Sequence, residues 1–139
     1  MKLFFDTSAF IKRYVDETGS ERVLDLTASA GEIGLSVLII PESISTLRRL
    51  VRENRISEVD YRSLKAAILI DVADADVCDL TPMVIEYTIK CLERSPLRAL
   101  DAIHVGCACA YRPDLFVSAD RRQIQGAENE GLRVEDLSP

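Results

Sequence analysis

FFDTSAF, residues 4–10, brings an apolar run to an abrupt end at a carboxylate. Leu3, Phe4 and Phe5 read as a buried strand, and Asp6 closes it. Thr7 and Ser8 follow, small hydroxyl residues able to cap a helix. FVSAD, residues 116–120, repeats the order near the other end of the chain: apolar strand, hydroxyl, acid, helix. One carboxylate at a strand end is readily explained as a helix cap, favoured by the dipole. Two with the same approach make a shared site the better reading.

Between these stretches, short apolar strands alternate with amphipathic helices. The pattern predicts strands over residues 2–6, 33–37, 76–80, 114–119 and 132–137. It predicts helices over residues 8–16, 20–30, 58–72, 97–111 and 120–130. Another runs to about residue 54, and another from Thr81-Pro82 to Ser95-Pro96. Ser20 and Gly31 read as start and stop of the 20–30 helix, Ser57 with Asp60 as a capping box, and Pro82 as a first helical residue. Pro41 is awkward: if Ser36 were the cap, the proline would lie past the tolerated first turn. That helix therefore begins near Ile40 or is kinked there. Strands separated by helices imply a parallel sheet covered on both faces: a three-layer α/β/α sandwich.

The chain has 139 residues, which suits one domain spanning 1–139. Apolar residues make up 47% and charged residues 29%, the balance of a water-soluble globular protein. No apolar run reaches the roughly 20 residues that span a bilayer, and no signal peptide opens the chain; the cytoplasm is the default compartment, with no membrane partner. Cys78, Cys91, Cys107 and Cys109 lack zinc-clip spacing and read as small buried residues. A formal net charge of −6 argues against a broad phosphate-binding surface. Acids that gather a cation also count as negative here, so a small local basic patch remains compatible with a nucleic-acid enzyme.

Open parallel sheets bind ligands beyond the carboxyl ends of their strands, where Asp6 and Asp120 fall. Glu42 opens the helix after the 33–37 strand and joins them at that edge; by pattern alone it reads as a solvated helix glutamate. Asp101 sits in a largely apolar helix, ALDAIHVGCACAY, where an acid needs a partner: Arg98 one turn away, or a cation. Four converging carboxylates repel and raise one another's pKa. Mg²⁺ or Mn²⁺, which prefer oxygen ligands, would remove the conflict. The chain has no Cys/His set for zinc. Its single histidine, His104, reads as packed or hydrogen-bonded in the core rather than as a base or ligand. Such a site suits metal-assisted phosphodiester hydrolysis, with carboxylates holding cations and accepting a proton from water.

These residues resemble the PIN domain family, and within it the VapC-like toxins of toxin–antitoxin pairs. FFDTSAFIKRY with ETGSE looks like the first motif, with Asp6 as its acid. PESISTLRRL supplies Glu42, LRALDAIHVGCA supplies Asp101, and LFVSADRRQ followed by AENEGLRV supplies Asp120. The resemblance implies a PIN-like sheet of four or five parallel strands and a Mg²⁺- or Mn²⁺-dependent endoribonuclease. It also implies inhibition by a partner antitoxin, and a homodimer. Thr7, Ser8 and Ser118 would orient acids or water. Lys12 and Arg121 would meet RNA phosphate; for each alone, solvated surface charge is the plainer reading. ISTLRRLV and LKAAILI, in a helical hairpin over residues 38–72, would face an antitoxin, face a second subunit, or simply pack the core. This sequence departs from some members after Asp120, where Arg121, Arg122 and Gln123 stand in place of a further acid. Pro41 directly precedes Glu42.

Two other readings compete. A PIN-like fold serving as a non-catalytic RNA-binding or regulatory module has no reason to concentrate four acids. An aspartyl-phosphate enzyme using Asp6 usually has a second acid two residues on, where this chain has Ser8.

Overall fold

The computed structural model describes residues 1–139. Five parallel strands form one sheet: β1 Lys2–Phe5, β2 Glu32–Ser36, β3 Asp76–Cys78, β4 Leu115–Ser118 and β5 Val134–Asp136. Their order across the sheet is β3-β2-β1-β4-β5. Successive strands add outward from β1 on one side, then on the other. The gap between β1 and β4 is thus the switch point where parallel sheets open a crevice at their carboxyl ends.

Alternation along β1 divides the apolar residues between two cores, as a pleated strand requires. Leu3 and Phe5 face one side, with Leu35 and Val117. That side is covered by α1 Thr7–Phe10, α2 Ser20–Ser29, α3 Ile39–Arg52 and α4 Glu58–Ala73, which contribute Phe10, Val23, Leu47 and Ile68 among others. Phe4 and Phe116 face the other side, their rings stacked 6.0 Å apart. There α5 Pro82–Arg94, α6 Ala99–Tyr111 and α7 Arg121–Asn129 supply Val84, Cys91, Val105 and Ala127. The expected three-layer α/β/α sandwich with a five-stranded parallel sheet is what forms.

Local signals explain most element ends. Ser57 and Asp60 make the capping box of α4. Thr81 caps α5, with Pro82 in its first turn. Pro41 is harmless: α3 starts at Ile39, so the proline lies in the first turn, where backbone N–H groups have no helical acceptor. Ser36 is not the cap; its hydroxyl accepts from the backbone of Leu38. The helix expected over residues 8–16 is instead a single α-turn, α1, continued by a 3-10 turn over Ile11–Arg13. Ser20 does not cap α2 either. Gly19, at φ +94°, holds the N-cap position, while Ser20 accepts from Glu17 N–H and donates to the Val15 carbonyl. All four cysteines are free, and two are fully buried.

α5 and α6 pack closely because Gly106 has no side chain. A Cβ there would meet the Thr88 hydroxyl at 2.4 Å, its amide nitrogen at 3.0 Å and the Val84 carbonyl at 3.1 Å. Two of those three atoms are backbone, so the helices themselves would have to separate. Gly106→Ala is expected to destabilise the fold by about 1–3 kcal/mol, read as a lower urea midpoint with an unchanged slope; an unchanged midpoint would mean that the contact is not closed in solution.

Candidate active site

Asp6 ends β1 and caps α1. Its Oδ1 accepts from the Ala9 amide at 3.0 Å and the Ser8 hydroxyl at 2.7 Å. Its Oδ2 accepts from the Ser118 hydroxyl at 2.5 Å, across the gap to β4. The carboxylate is fully buried, and no cationic side chain lies within ion-pair distance of it. Burial pushes its pKa up, against a partial downward pull from the His104 charge and the hydroxyl bonds. Ser118 also accepts from the Asp120 amide at 3.0 Å, and Ser8 accepts from the Ala119 amide at 2.9 Å. The two hydroxyls thus fasten the ends of β1 and β4 together.

Asp120 caps α7, its Oδ1 accepting from the amides of Arg122 at 2.9 Å and Gln123 at 3.1 Å. Asp101 lies in the first turn of α6 and accepts from the Gln123 side chain at 3.2 Å. Arg98 forms no ion pair with it. Burial first, and then the neighbouring charge of Asp120, push the Asp101 carboxyl upward. Glu42 stands in the first turn of α3 and accepts from the Thr7 hydroxyl at 2.7 Å; its Oε1 also lies 2.5 Å from His104 Nε2. Burial alone would raise the Glu42 pKa, but the bonds from His104 and Thr7 outweigh it and the net shift is downward.

Glu42, Asp101 and Asp120 line one cleft of about 550 Å³ with Thr7, Ser8 and Lys12. Asp6 and Ser118 are bonded directly behind Ser8. Each of the three lining carboxylates uses one oxygen for protein hydrogen bonds and leaves the other free. Of the two basic residues read from the sequence, Lys12 is in the cleft, its Nζ paired with Glu17 at 3.0 Å. Arg121 lies outside it and donates to the Pro139 carbonyl at 2.9 Å. A second cavity, of about 360 Å³, also gathers Glu32, Asp71, Asp74 and Asp76, but at the amino ends of β2 and β3 and with Asp71 paired to Arg13.

The cleft's ligating groups are oxygens, the anionic ones all carboxylates, and no three His, Cys, Asp or Glu side chains converge into a complete cation cage. That set fits Mg²⁺ or Mn²⁺, which keep several waters and take only one or two carboxylates from the protein. A fully buried carboxylate with no cationic partner and three free lining oxygens fit the same ion.

Residues 3–129 match the PIN domain family. The chain belongs to the PIN domain family. Two similar proteins are ribonuclease VapC45 and ribonuclease VapC49, from two strains of Mycobacterium tuberculosis. Each is 30% identical over 134 residues, covering 95% of this chain and 93% of the relative. Among solved structures, FitAB bound to a DNA fragment superposes with a TM-score of 0.74 at 13% identity, over 96% of this PIN domain and 94% of that chain. VapC20 from M. tuberculosis, described as a sarcin–ricin loop cleaving toxin, gives 0.67 at 18% identity, over 88% and 93%. At those identities the likeness is one of fold.

His104, expected to be packed or hydrogen-bonded in the core, is 1% exposed and holds Glu42 from behind the cleft. Sequence reading passed over two other residues, Gln123 and Arg49, as parts of this PIN domain's cleft. Gln123 holds Asp101, and its spacing from Asp120 carried no hint of that. Arg49 lines the cleft two helical turns beyond Glu42, a spacing that places both on one face.

The raised Asp101 pKa has a consequence for metal-free protein. A carboxyl whose folded pKa lies above its unfolded value favours folding fully only below the unfolded value, and that contribution is lost as pH rises through the folded pKa. In chelator, Asp101→Asn should therefore melt higher than wild type near neutral pH, by the equivalent of less than about 1 kcal/mol because the group is part-exposed. The gap should close on acidification below the ordinary carboxylate range. A variant that melts lower than wild type at neutral pH in chelator would contradict this electrostatic account.

Proposed function

We propose that this PIN domain is a Mg²⁺- or Mn²⁺-dependent endoribonuclease that hydrolyses RNA phosphodiester bonds, and the toxin of a toxin–antitoxin pair. The carrying observation is the cleft at the β1–β4 switch point, where three carboxylates each keep one oxygen free beside a buried, cation-less Asp6. The ribonuclease relatives, at 30% identity over 95% of the chain, support the reaction class. A neighbouring fold solved as a toxin–antitoxin complex from Klebsiella pneumoniae supports an antitoxin partner. Val59 and Ile70 of α4 are 63% and 65% exposed and offer apolar contact to such a partner or to a second copy in a homodimer.

The set Asp6, Asp101, Asp120 and Glu42 would hold the cation, one or two of them directly and the others through its waters; when bound, it would lower the pKa of water and offset charge on the phosphate. The chain's own residues then have separable tasks. Ser8 and Ser118 fix both oxygens of Asp6, so that the buried carboxylate cannot turn away. Gln123 holds one oxygen of Asp101 and leaves the other for the cleft. Thr7 and His104 hold Glu42, whose lowered pKa keeps it ionised and able to accept a proton from the attacking water. Lys12 would contact phosphate from within the cleft, and Arg121, the first residue of α7, from outside it.

The alternative, a non-catalytic PIN-like RNA-binding or regulatory module, needs no cation in the cleft. Cleavage separates the two readings. With Mn²⁺, wild type should cut single-stranded RNA, and chelator should stop it. Asp6→Asn, Asp101→Asn and Asp120→Asn should each lose more than about a hundredfold. Thr7→Val, which removes only the hydroxyl that holds Glu42, should lose about 10–100-fold. RNA binding without cleavage, unaffected by Mn²⁺, would establish the module instead.

A further inference from the structure

We propose a second phosphate subsite on α3, formed by Arg49, Thr46 and Ser45, which binds the RNA phosphodiester next to the one being cut. It rests on the ribonuclease reading above and adds where the strand runs. Glu42, Ser45, Thr46 and Arg49 follow one another at helical spacing, and all line the acid cleft. At 1.5 Å of rise per residue, Arg49 lies about 10 Å along the helix axis from Glu42. Helical side chains lean toward the N-terminus, so its guanidinium leans back toward the acids. It therefore reaches a neighbouring phosphate rather than the scissile one.

None of the three subsite groups is otherwise engaged. The cleft contains two cationic side chains; Lys12 is paired with Glu17, whereas Arg49 has no carboxylate within ion-pair distance. The adjacent Arg48 shows the contrast: it makes a two-pronged pair with Glu58 and lies over the Tyr61 ring. Mid-helix Ser and Thr commonly turn their hydroxyls back to the preceding turn's carbonyl, as Thr27 does to Val23. Ser45 and Thr46 make no such bond and keep donors free in the cleft. An unpaired guanidinium with two free hydroxyls, on the rim of a site otherwise negative, is complementary to a phosphodiester oxygen pair.

The test uses Asp101→Asn protein, to prevent cutting, and a fluorescent random-sequence single-stranded oligoribonucleotide pool, titrated over a range of salt. Adding Arg49→Ala should weaken binding and reduce the slope of log affinity against log salt by about 0.7, the signature of one lost contact to single-stranded phosphate. Arg49→Lys should keep the slope. In the otherwise wild-type chain, Arg49→Ala should raise KM with little change in kcat, and should leave any Mn²⁺-induced rise in Tm intact. An unchanged salt slope in Arg49→Ala, with wild type still cutting RNA, overturns the subsite alone. Binding that depends on Arg49 in a protein that never cuts RNA overturns the nuclease reading and, with it, the subsite's place beside a scissile phosphate, leaving only an RNA-phosphate contact at Arg49. Failure of both proteins to bind overturns both.

Discussion

A carboxylate with no cation beside it is buried at the centre of this molecule, and the local structure is arranged to hold it there. Burying an ionised group is costly unless hydrogen bonds or an opposite charge compensate. Asp6 has the hydrogen bonds: an amide from its own helix, one hydroxyl from Ser8 and one from Ser118. The same two hydroxyls accept amides from Ala119 and Asp120. One buried acid therefore sets the relative position of β1, α1, β4 and the start of α7. What it lacks is a cation within ion-pair distance, and burial holds its pKa up against the partial pull of the His104 charge and the hydroxyl bonds.

The other acids are placed by the same economy of parts. Asp120 caps α7 with one oxygen and faces the cleft with the other. Capping and a place in a shared site were alternatives in the sequence; in the structure one residue caps the helix and still presents a free oxygen to the cleft, because a carboxylate has two. Glu42 is held by Thr7 from α1 and by His104 from α6, so its position reports on both cores at once. Asp101 has only Gln123 and is the least restrained of the four. Two helix starts and two strand ends thus meet at the switch point, each bringing an acid to one edge of the sheet.

The architecture was legible because two periodicities are clean. Phe4 and Phe116 point one way and Leu3, Phe5 and Val117 the other, as strand alternation requires. Thr81-Pro82 and Ser57-Asp60 act as the capping chemistry predicts. Misreadings came where tertiary contacts override local preference. Ser20 looks like a cap but is drawn into bonds with Glu17 and Val15, leaving Gly19 to start the helix. The first helix is one α-turn that tightens into a 3-10 turn over Ile11–Arg13, a change that no local signal marks. Asp6 and Asp120 stood out by their position after strands and Asp101 by its place in an apolar helix, whereas Glu42 by pattern alone reads as a solvated helix acid. Gln123 did not stand out, since its partner Asp101 is on another element and leaves no trace in spacing along its own.

The account rests on a divalent cation occupying this cleft. Anomalous scattering at the manganese edge, from crystals grown with Mn²⁺, tests that most directly because it locates the ion without reference to activity or RNA. The account predicts a peak between the free oxygens of Asp101 and Asp120, beside Asp6, with carboxylate–metal distances of about 2.1 Å and water completing the shell. Full occupancy elsewhere on the surface, with no peak between those acids at millimolar Mn²⁺, would contradict it.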